Sequence, residues 1–397
     1  MLADRINRLN ESATMKMAAE TLRLKSNGVD IINFGIGEPD FTTPGLVKEA
    51  AKKAIDDNKT YYTLNKGLPE LRQVISNYLK KDFDISFDAD EIIVTNGAKQ
   101  ALFNCILAIV NHQDEVIIPT PCWPSYPELI HLTGGKVVYL NTEYSNGFKM
   151  TPEQLRDTIT PRTKAILFCN PNNPTGTVYN RAEIEEMVEV LKGRDIYIIS
   201  DEIYGKMIYD DYDYVSFGKY REALHDRLIV LQGASKAFAM TGWRLGFAAG
   251  PMEIINAADM IQSHSTSNVS SISQHAAIAA FSKVEGDVTK MVHAFDERRR
   301  FVISFLTGIK GLTFAEPHGA FYIFPKIDYF YGTAPDGTRI TNSNELALYL
   351  LRTAHVATVP GKGFEAEDFI RISYANSMDN IKTGLSKIKK SLEEIEV

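Results

Sequence analysis

The chain has 397 residues, of which 43 are basic and 50 acidic, so its formal net charge is −7. With 44% hydrophobic and 23% charged residues, the composition is that of a globular protein and excludes disordered, collagen-like and fibrous chains. The longest basic run, Arg298-Arg299-Arg300, lies in a helical pattern beside Asp296 and Glu297. We therefore expect no nucleic-acid partner and no anionic-membrane partner.

Charged side chains are scattered through the first 16 residues and leave no apolar core for a secretory signal. The longest uncharged stretch, residues 261–282, is too polar for a membrane span, which needs about 20 mostly apolar residues. Cys105, Cys122 and Cys169 are odd in number and lack C-x-x-C spacing, so neither a disulfide framework nor a metal site is expected. The sequence predicts a cytoplasmic protein with reduced thiols.

Short apolar runs alternate with helical patterns through the middle of the chain. The runs typical of strands cover residues 91–95, 115–119, 137–140, 165–169, 196–200 and 228–231. Apolar residues recur at helical spacing in residues 99–110 and 182–191. Strands that are apolar on both faces and separated by helices predict a mainly parallel sheet with helices on each side. Residues 245–249 could add an antiparallel strand.

The pattern becomes helical after residue 250 and changes character near residue 307. Beyond that point the predicted strands cover residues 312–315, 319–325 and 370–373, and the predicted helices 344–354 and 379–394. This α+β segment predicts a second domain. We therefore expect a large domain in residues 43–294 and a small domain formed by residues 1–42 together with 295–397.

Several polar residues follow the predicted strands, where ligands gather in open α/β sheets. Asp201 directly follows one strand, and Tyr204 lies one turn further on if the chain becomes helical there. Lys236 comes shortly after another strand, and Arg244 eight residues later. The loop 170–176, Asn-Pro-Asn-Asn-Pro-Thr-Gly, follows a third strand and is predicted to be ordered.

Each of these features also has a purely structural interpretation. A strand-end aspartate is often a helix cap, Asn-Pro sequences often form ordinary turns, and a lysine beside a turn is usually solvated. Lys99 is harder to explain in this way, since a cation in the first turn of a helix opposes the helix dipole unless an anion shares the site. Gly35 and Gly37 form a lone G-x-G, which is only a weak dinucleotide-binding fingerprint. Glu38-Pro39 follows directly and argues against a helix start at that point.

Together the strand ends offer an amine, a carboxylate, a phenol, an amide, a guanidinium and the free N–H groups of a helix start. This set of groups suits pyridoxal phosphate. A lysine can form an imine with its aldehyde, and a carboxylate can keep its ring nitrogen protonated so that the ring withdraws electrons. The phenol and amide suit the ring oxygen, and the guanidinium and N–H groups suit the phosphate.

The sequence resembles the class I pyridoxal-phosphate aminotransferases and, within them, the bacterial aspartate aminotransferase branch. The matching segments are Gly37-Glu-Pro-Asp-Phe41, Asn96-Gly-Ala-Lys-Gln-Ala-Leu-Phe-Asn104, Asn170-Pro-Asn-Asn-Pro-Thr-Gly176, Ser200-Asp-Glu-Ile-Tyr204, Ser235-Lys-Ala-Phe-Ala-Met-Thr-Gly-Trp-Arg244, Gly319-Ala-Phe-Tyr322 and Arg371-Ile-Ser-Tyr374. They cover essentially the whole chain in the family order. The resemblance implies fold type I of the pyridoxal-phosphate transferases, with a large, mostly parallel α/β/α sheet domain and a smaller α+β domain.

The resemblance also implies roles for single residues toward the cofactor. Lys236 would be the Schiff-base lysine and proton shuttle, and Asp201 would pair with the ring nitrogen. Asn173 and Tyr204 would bond the ring oxygen, and Trp123 would stack on the ring.

The implied phosphate ligands are Arg244 and the backbone at Gly97, Ala98 and Lys99. Many relatives have a further serine at the position of Gly233, and Ser235 is the expected replacement. Tyr62 matches the tyrosine that reaches the phosphate across a dimer interface, which implies a homodimer with shared active sites.

For the substrate, the resemblance implies that Arg371 binds the α-carboxylate while the Gly37 N–H closes over it, next to Trp123 and Asn173. No arginine for a second carboxylate is identifiable in residues 261–274. Lys99 is therefore implied to bind the acidic side chain, together with Ser12 or Thr14. These last two could equally cap an N-terminal helix.

The predicted activity is transfer of the amino group of L-aspartate to 2-oxoglutarate, giving oxaloacetate and L-glutamate. An aromatic or broad-specificity aminotransferase of the same fold is the nearest alternative, and a C–S lyase is a further one. Outside this class, a nicotinamide-dependent oxidoreductase lacks its glycine fingerprint here. A non-catalytic ligand-binding protein would not need Lys236, Asp201 and Tyr204 together.

Overall fold

The computed structural model describes residues 2–9, 13–224 and 227–397. The strands in these residues are β1 (Ile32–Asn33), β2 (Ile92–Thr95), β3 (Glu115–Thr120), β4 (Lys136–Asn141), β5 (Thr163–Cys169), β6 (Tyr197–Asp201), β7 (Leu228–Gly233), β8 (Gly246–Ala249), β9 (Tyr322–Ile323), β10 (Gly332–Thr333), β11 (Arg339–Ile340), β12 (Val356–Ala357), β13 (Val359–Pro360) and β14 (Ile370–Ser373).

The helices are α1 (Ala13–Ser26), α2 (Gly45–Asp56), α3 (Pro69–Phe83), α4 (Ala98–Ile109), α5 (Ser125–Thr133), α6 (Pro152–Thr158), α7 (Arg181–Leu191), α8 (Ala234–Ala237), α9 (Met252–Ser263), α10 (Ser271–Lys283), α11 (Glu285–Thr307), α12 (Ser343–Tyr349) and α13 (Met378–Glu393). A turn of π-helix, Leu350–Ala354, extends α12. No helix of the described residues is long and apolar enough to cross a lipid bilayer.

A seven-stranded sheet in the order β2-β8-β7-β6-β5-β3-β4 forms the centre of the molecule. Its neighbouring strands pair in parallel except where β8 pairs antiparallel with both β2 and β7. The predicted mainly parallel sheet, with one antiparallel strand near residues 245–249, is therefore confirmed.

Both faces of this sheet are covered, because each central strand alternates its apolar side chains between two hydrophobic clusters. In β2, for example, Ile92 and Val94 belong to the cluster that includes α3, α7 and α10, whereas Ile93 belongs to the cluster that includes α4, α5 and α9. This double burial explains why these strands are continuous apolar runs in the sequence.

A third hydrophobic cluster, separate from the two on the central sheet, packs α11, α12 and α13 around the antiparallel sheet β13-β14-β9. Two strand predictions in this region are wrong. Residues 312–315 form only an isolated bridge between Thr313 and Lys326. Of residues 319–325 only β9 is a strand, since Ala320 has a left-handed φ of 57° and Pro325 cannot donate a ladder hydrogen bond.

The N-terminal segment lies against the C-terminal part of the chain, because β1 pairs in parallel with β12. The predicted domain boundary at residues 294 and 295 falls inside the continuous helix α11. The division into two domains stays a prediction. The carboxyl ends of β5, β6 and β7 and the start of α4 face the segments around β1, β9 and β14, with a cavity between them.

Candidate active site

A cavity of about 670 Å³ lies at the carboxyl edge of the central sheet. The predicted site residues that line it are Gly37, Ala98, Lys99, Trp123, Asn173, Asp201, Tyr204, Ser235, Lys236, Arg244 and Arg371. Gly97 and Tyr62 are not among the described residues that line it. The structure thus brings together side chains that are up to 334 positions apart in the sequence, from Gly37 to Arg371.

Lys236 lies on the short helix α8, directly after β7, and its Nζ donates a hydrogen bond to the carbonyl oxygen of Gly37. Burial, together with the nearby cations of Arg371 and Arg244, lowers the pKa of Lys236 to about 8. A large fraction of this amine is therefore neutral near pH 8, and a neutral amine can act as a nucleophile or accept a proton.

Asp201 is the last residue of β6, and its buried carboxylate faces the cavity. The hydroxyl of Tyr126 donates to its Oδ2 at 2.7 Å, and the backbone N–H of Ile203 donates to its Oδ1 at 3.2 Å. Burial raises the pKa of Asp201, while the Tyr126 hydrogen bond and the Lys236 charge oppose that shift. Tyr126 lies three residues after Trp123, and no local pattern in the sequence indicates its contact with Asp201.

The N-terminus of α4 has the features of an anion-binding site. Its N-cap Gly97 has a φ of 79°, and a Cβ atom there would lie 2.5 Å from Nη2 of Arg244, so only glycine lets that guanidinium approach. The N–H groups of Ala98 and Lys99 are in the first helical turn, where no intrahelical acceptor exists. Arg244, Ser235 and the residues of this first turn, Ala98 and Lys99, all line the cavity, and such a set of donors suits an anion.

Lys99 extends from the first turn of α4 into the cavity, and its Nζ lies 4.6 Å from the centre of the Trp123 ring. Burial and the charge of Arg244 lower the pKa of Lys99. Within the described residues no carboxylate forms an ion pair with it. Lys99 is thus a cation that lines the cavity without a counter-ion among the described residues.

Arg371 projects from β14, and only 6% of the residue is exposed. Its Nη1 donates to Oδ1 of Asn173 at 2.9 Å, and its Nη2 donates to the carbonyl oxygen of Gly35 at 2.8 Å. Its Nε has no hydrogen-bond partner in the described structure. These acceptors are neutral, so the guanidinium remains available to a carboxylate.

Tyr204 follows β6 in a turn rather than in the helix considered in the sequence analysis, and it is buried. Its hydroxyl lies 2.8 Å from the hydroxyl of Tyr322, which comes from β9. Tyr322 belongs to the segment Gly319-Ala-Phe-Tyr322 that matches the family, but no role for it was predicted from the sequence.

Tyr62 lies outside this cavity and is 92% exposed, and its neighbours Tyr61 and Leu64 are also exposed apolar side chains. Ser12 lies outside the described residues. Thr14 belongs to α1, but its side chain is not among those described.

The cavity carries an excess of positive charge. Four side chains that line it are basic and two are acidic: Lys99, Lys236, Arg244 and Arg371 against Glu38 and Asp201. None of the four basic side chains forms an ion pair with another described residue. Such a site attracts anionic ligands.

One group of possible metal ligands, Asp210, Glu316 and His318, lies outside this cavity. Asp210 already forms ion pairs with Arg299 and Arg300, so these positive charges oppose binding of a cation there.

The family model for aminotransferase class I and II matches residues 29–388. The chain is 42% identical to an aspartate aminotransferase of Geobacillus stearothermophilus over 392 residues, which is 99% of both chains. It is 41% identical to an aspartate/prephenate aminotransferase of Cereibacter sphaeroides over 390 residues, which is 98% of both.

Two solved structures resemble the fold along nearly its full length. The aspartate aminotransferase of Rhizobium meliloti matches with a TM-score of 0.96 and 39% identity over all of both chains. The aspartate aminotransferase of Thermus thermophilus, solved with maleate, matches with a TM-score of 0.92 and 38% identity over 98% of this chain and 99% of that one.

Proposed function

The chain belongs to the class I and II aminotransferase family, and we propose that it transfers the amino group of L-aspartate to 2-oxoglutarate, giving oxaloacetate and L-glutamate. The family and the fold type that the sequence motifs indicated are those of the relatives. The observation that carries the proposed activity is that Lys236, an amine of lowered pKa, and buried Asp201 line the same cavity together with cations that have no ion-pair partner among the described residues.

The residues present fit pyridoxal phosphate, which we propose as the cofactor. Asp201 keeps one face toward the cavity and would pair with the ring nitrogen. Arg244, Ser235 and the first turn of α4 form a donor set for a phosphate, since the missing side chain of Gly97 leaves room for the guanidinium.

The ring itself has further contacts in this proposal. Trp123 would stack on it, and Tyr204 and Asn173 would donate to its oxygen. The amide nitrogen of Asn173 makes no hydrogen bond within the described residues, because only its Oδ1 is used by Arg371. When bound, the cofactor supplies a carbonyl group that exchanges amines and a ring that withdraws electrons.

In the proposed reaction each protein group has a separate task. Arg371 holds the α-carboxylate of the amino acid, and the backbone at Gly37 covers it. Lys236, once its amine is free, takes the α-proton as a general base and returns it as a general acid. Asp201 holds a positive charge on the ring nitrogen, and Trp123 excludes water from one side.

Lys99 is the proposed ligand of the second carboxylate of aspartate and glutamate. It lies in the same cavity as Arg371 and has no counter-ion among the described residues. The Thermus thermophilus relative was solved with maleate, a dicarboxylate, which supports a site for two carboxylates.

We also propose a homodimer in which Tyr62 reaches the phosphate of the neighbouring subunit. The exposure of Tyr61, Tyr62 and Leu64 on one segment supports a protein contact there. The domains are proposed as residues 43–294 and residues 1–42 with 295–397. The three buried thiols carry no disulfide, which is typical of the proposed cytoplasmic location.

A second candidate activity is transamination of prephenate, because several relatives are named aspartate/prephenate aminotransferases. It would use the same Arg371 and the same cofactor groups. Assays of aspartate with 2-oxoglutarate and of glutamate with prephenate distinguish a narrow from a dual specificity.

The test of the proposed function is Lys236→Ala, with Lys206→Ala as a matched control. Lys206 is another partly buried lysine, but it forms ion pairs with Asp82 and Glu285 outside the cavity. We expect pyridoxal phosphate to give the wild-type protein a visible absorption band that amino acids shift. Lys236→Ala should lose about 10²–10⁴-fold or more of the turnover, and the control should stay close to wild type. Near-native turnover of Lys236→Ala without added amine would contradict the proposal.

A further inference from the structure

Tyr322 is a fully buried phenol that lines the cavity and has no part in the proposed roles above. It comes from β9, which pairs antiparallel with β14, and its register partner is Ser373. Arg371 lies two residues from that partner on the same strand. The phenol is therefore held by the strand that also carries the proposed carboxylate-binding arginine.

The hydroxyl of Tyr322 lies 2.8 Å from the hydroxyl of Tyr204, and the two rings meet edge to face with centroids 5.7 Å apart. Within the described residues this is the only hydrogen-bond partner of the Tyr322 hydroxyl. The guanidinium of Arg371 lies over the Tyr322 ring at 4.5 Å from its centre. Gly37 passes close by, since a Cβ atom there would be 3.0 Å from the hydroxyl.

The direction of this hydrogen bond follows from proton counting. A phenol has one hydrogen to donate and lone pairs with which to accept. If Tyr204 donates its hydrogen to the ring oxygen of the cofactor, it cannot also donate to Tyr322. The hydrogen between the two phenols must then come from Tyr322.

We propose that Tyr322 is a positioning residue that donates to the Tyr204 hydroxyl and thereby keeps the Tyr204 hydrogen directed at the ring oxygen of the cofactor. This role rests on the proposed function. It connects the substrate-binding strand to the cofactor, because Arg371 and Tyr322 are held by the same pair of strands.

The electrostatic surroundings agree with donation from the Tyr322 hydroxyl to the Tyr204 hydroxyl. Burial raises the pKa of both phenols, but the Arg371 charge and the hydrogen bond to Tyr204 oppose the shift at Tyr322. The same hydrogen bond adds to the raised pKa of Tyr204. The guanidinium that lies over the Tyr322 ring favours a polarised Tyr322 hydroxyl, which suits the donor role.

The experiment is a pH titration of the visible absorption of the protein loaded with pyridoxal phosphate. A hydrogen bond donated to the ring oxygen withdraws electron density and lowers the proton affinity of the chromophore. Tyr322→Phe should weaken that donation and raise the pH midpoint by about half to one unit, the size expected for one hydrogen bond. The Phe ring keeps the packing of the cluster.

The matched control is Tyr209→Phe, which removes another buried hydroxyl of the same hydrophobic cluster. That hydroxyl donates to the carbonyl oxygen of Ala320 and does not line the cavity. Thermal unfolding of both variants reports the structural cost, which should be similar. The control should leave the pH midpoint unchanged.

A double-mutant cycle with Tyr204→Phe decides whether Tyr322 acts through Tyr204, in which case Tyr322→Phe adds no shift to that variant. An unchanged midpoint in Tyr322→Phe, an equal shift in Tyr209→Phe, or a full shift that persists with Tyr204→Phe would each overturn the proposal. Absence of any titrating band in the wild-type protein would overturn the proposed function, and the role of Tyr322 with it.

Discussion

Two of the buried arginines in the described part of the chain, Arg299 and Arg371, have quite different surroundings. Arg299 on α11 is 2% exposed and forms ion pairs with Asp296, Asp210 and Glu316. Arg371 on β14 is 6% exposed and bonds only the neutral oxygens of Asn173 and Gly35. The first arginine has protein counter-ions, and the second has none within the described structure.

This difference distinguishes an arginine that stabilises the fold through ion pairs from an arginine whose charge is free to bind a ligand. Removing a cation from water costs several kcal/mol unless an anion compensates it. At Arg299 three carboxylates of the chain compensate it. At Arg371 no carboxylate of the described residues compensates the charge, which agrees with its proposed role as the ligand of the substrate α-carboxylate.

Two consecutive carboxylates at the end of β6, Asp201 and Glu202, show the same contrast between a charged group that faces the cavity and one that is bonded within the core. Glu202 is turned into the core, where the hydroxyls of Ser200, Ser216 and Tyr214 and the N–H of Phe217 all donate to it. Asp201 on the other face accepts two hydrogen bonds and keeps an open side toward the cavity. Burial raises the pKa of both groups, to about 7 for Glu202.

The largest expected effect that tests this contrast is that of Arg371→Leu set against Arg299→Leu. Arg371→Leu should weaken all amino acid substrates alike, since the α-carboxylate is common to them. Losing a charged bidentate partner costs about 2–5 kcal/mol, which is roughly 30- to several-thousand-fold in kcat/KM. Its stability should change little, because a buried unpaired charge is also removed.

Arg299→Leu should show the reverse result, with the free energy of unfolding lowered by about 3 kcal/mol because its acidic partners lose their cation, and with kcat/KM near wild type. Steady-state kinetics and chemical denaturation measure the two effects. If Arg371→Leu affected only dicarboxylic substrates, Arg371 would bind the side-chain carboxylate of the substrate rather than its α-carboxylate.

The next largest effect is expected for Asp201→Asn, which removes the negative charge that holds a proton on the ring nitrogen. We expect kcat to fall by about 10²–10³-fold and the visible spectrum of the loaded protein to change. Glu202→Gln is the matched control. It should destabilise the fold by about 1–3 kcal/mol and leave kcat close to wild type. Equal losses of kcat in the two variants would contradict the assignment of Asp201 to the cofactor and of Glu202 to the fold.

A smaller and selective effect is expected for Lys99→Ala. A charged hydrogen bond is worth about 1.5–3 kcal/mol, so kcat/KM for aspartate and glutamate should fall by about one to two decades. The values for alanine and phenylalanine should change much less, and pyridoxal phosphate should bind almost normally. An equal loss for aspartate and phenylalanine, with weaker cofactor binding, would make Lys99 a phosphate ligand instead.

The smallest effect is a pH dependence set by Lys236. Below its lowered pKa of about 8 the amine is protonated and cannot react with a carbonyl group. The rate at which the apoprotein captures pyridoxal phosphate should therefore rise roughly tenfold from pH 7 to pH 9 and then level off. Stopped-flow absorbance measures this rate. A rate that still rises steeply above pH 10 would show an amine with an ordinary lysine pKa.

Much of the cavity is predictable from the sequence because local signals mark the ends of parallel strands. Asp201 and Lys236 follow apolar runs that are buried on both faces, and Lys99 stands out as a cation at a helix start. The roles of Tyr126 and Tyr322 are not predictable in this way. Their hydroxyls meet Asp201 and Tyr204 only through contacts between segments 75 and 118 residues apart, which leave no local pattern.

The fold is predicted best in the large sheet and worst where a strand is short. The six apolar runs match β2 to β7 closely. All of these strands except the edge strand β4 are buried along nearly their whole length, which produces a strong apolar signal. In residues 312–325 only β9 belongs to a ladder, whereas the other apolar side chains pack without one and Ala320 interrupts the extended backbone. Apolar content alone does not distinguish these two outcomes.

The burial of all three cysteines has a practical consequence for experiments on this protein. Burial raises the pKa of the Cys105, Cys122 and Cys169 thiols well above its ordinary value, so they stay protonated and react poorly with alkylating reagents under native conditions. Thiol-directed reagents should therefore label the native wild-type protein very little. A cysteine introduced at the exposed position of Tyr62 would be the single reactive thiol, and a cross-linker attached there would test whether the chain forms the proposed homodimer.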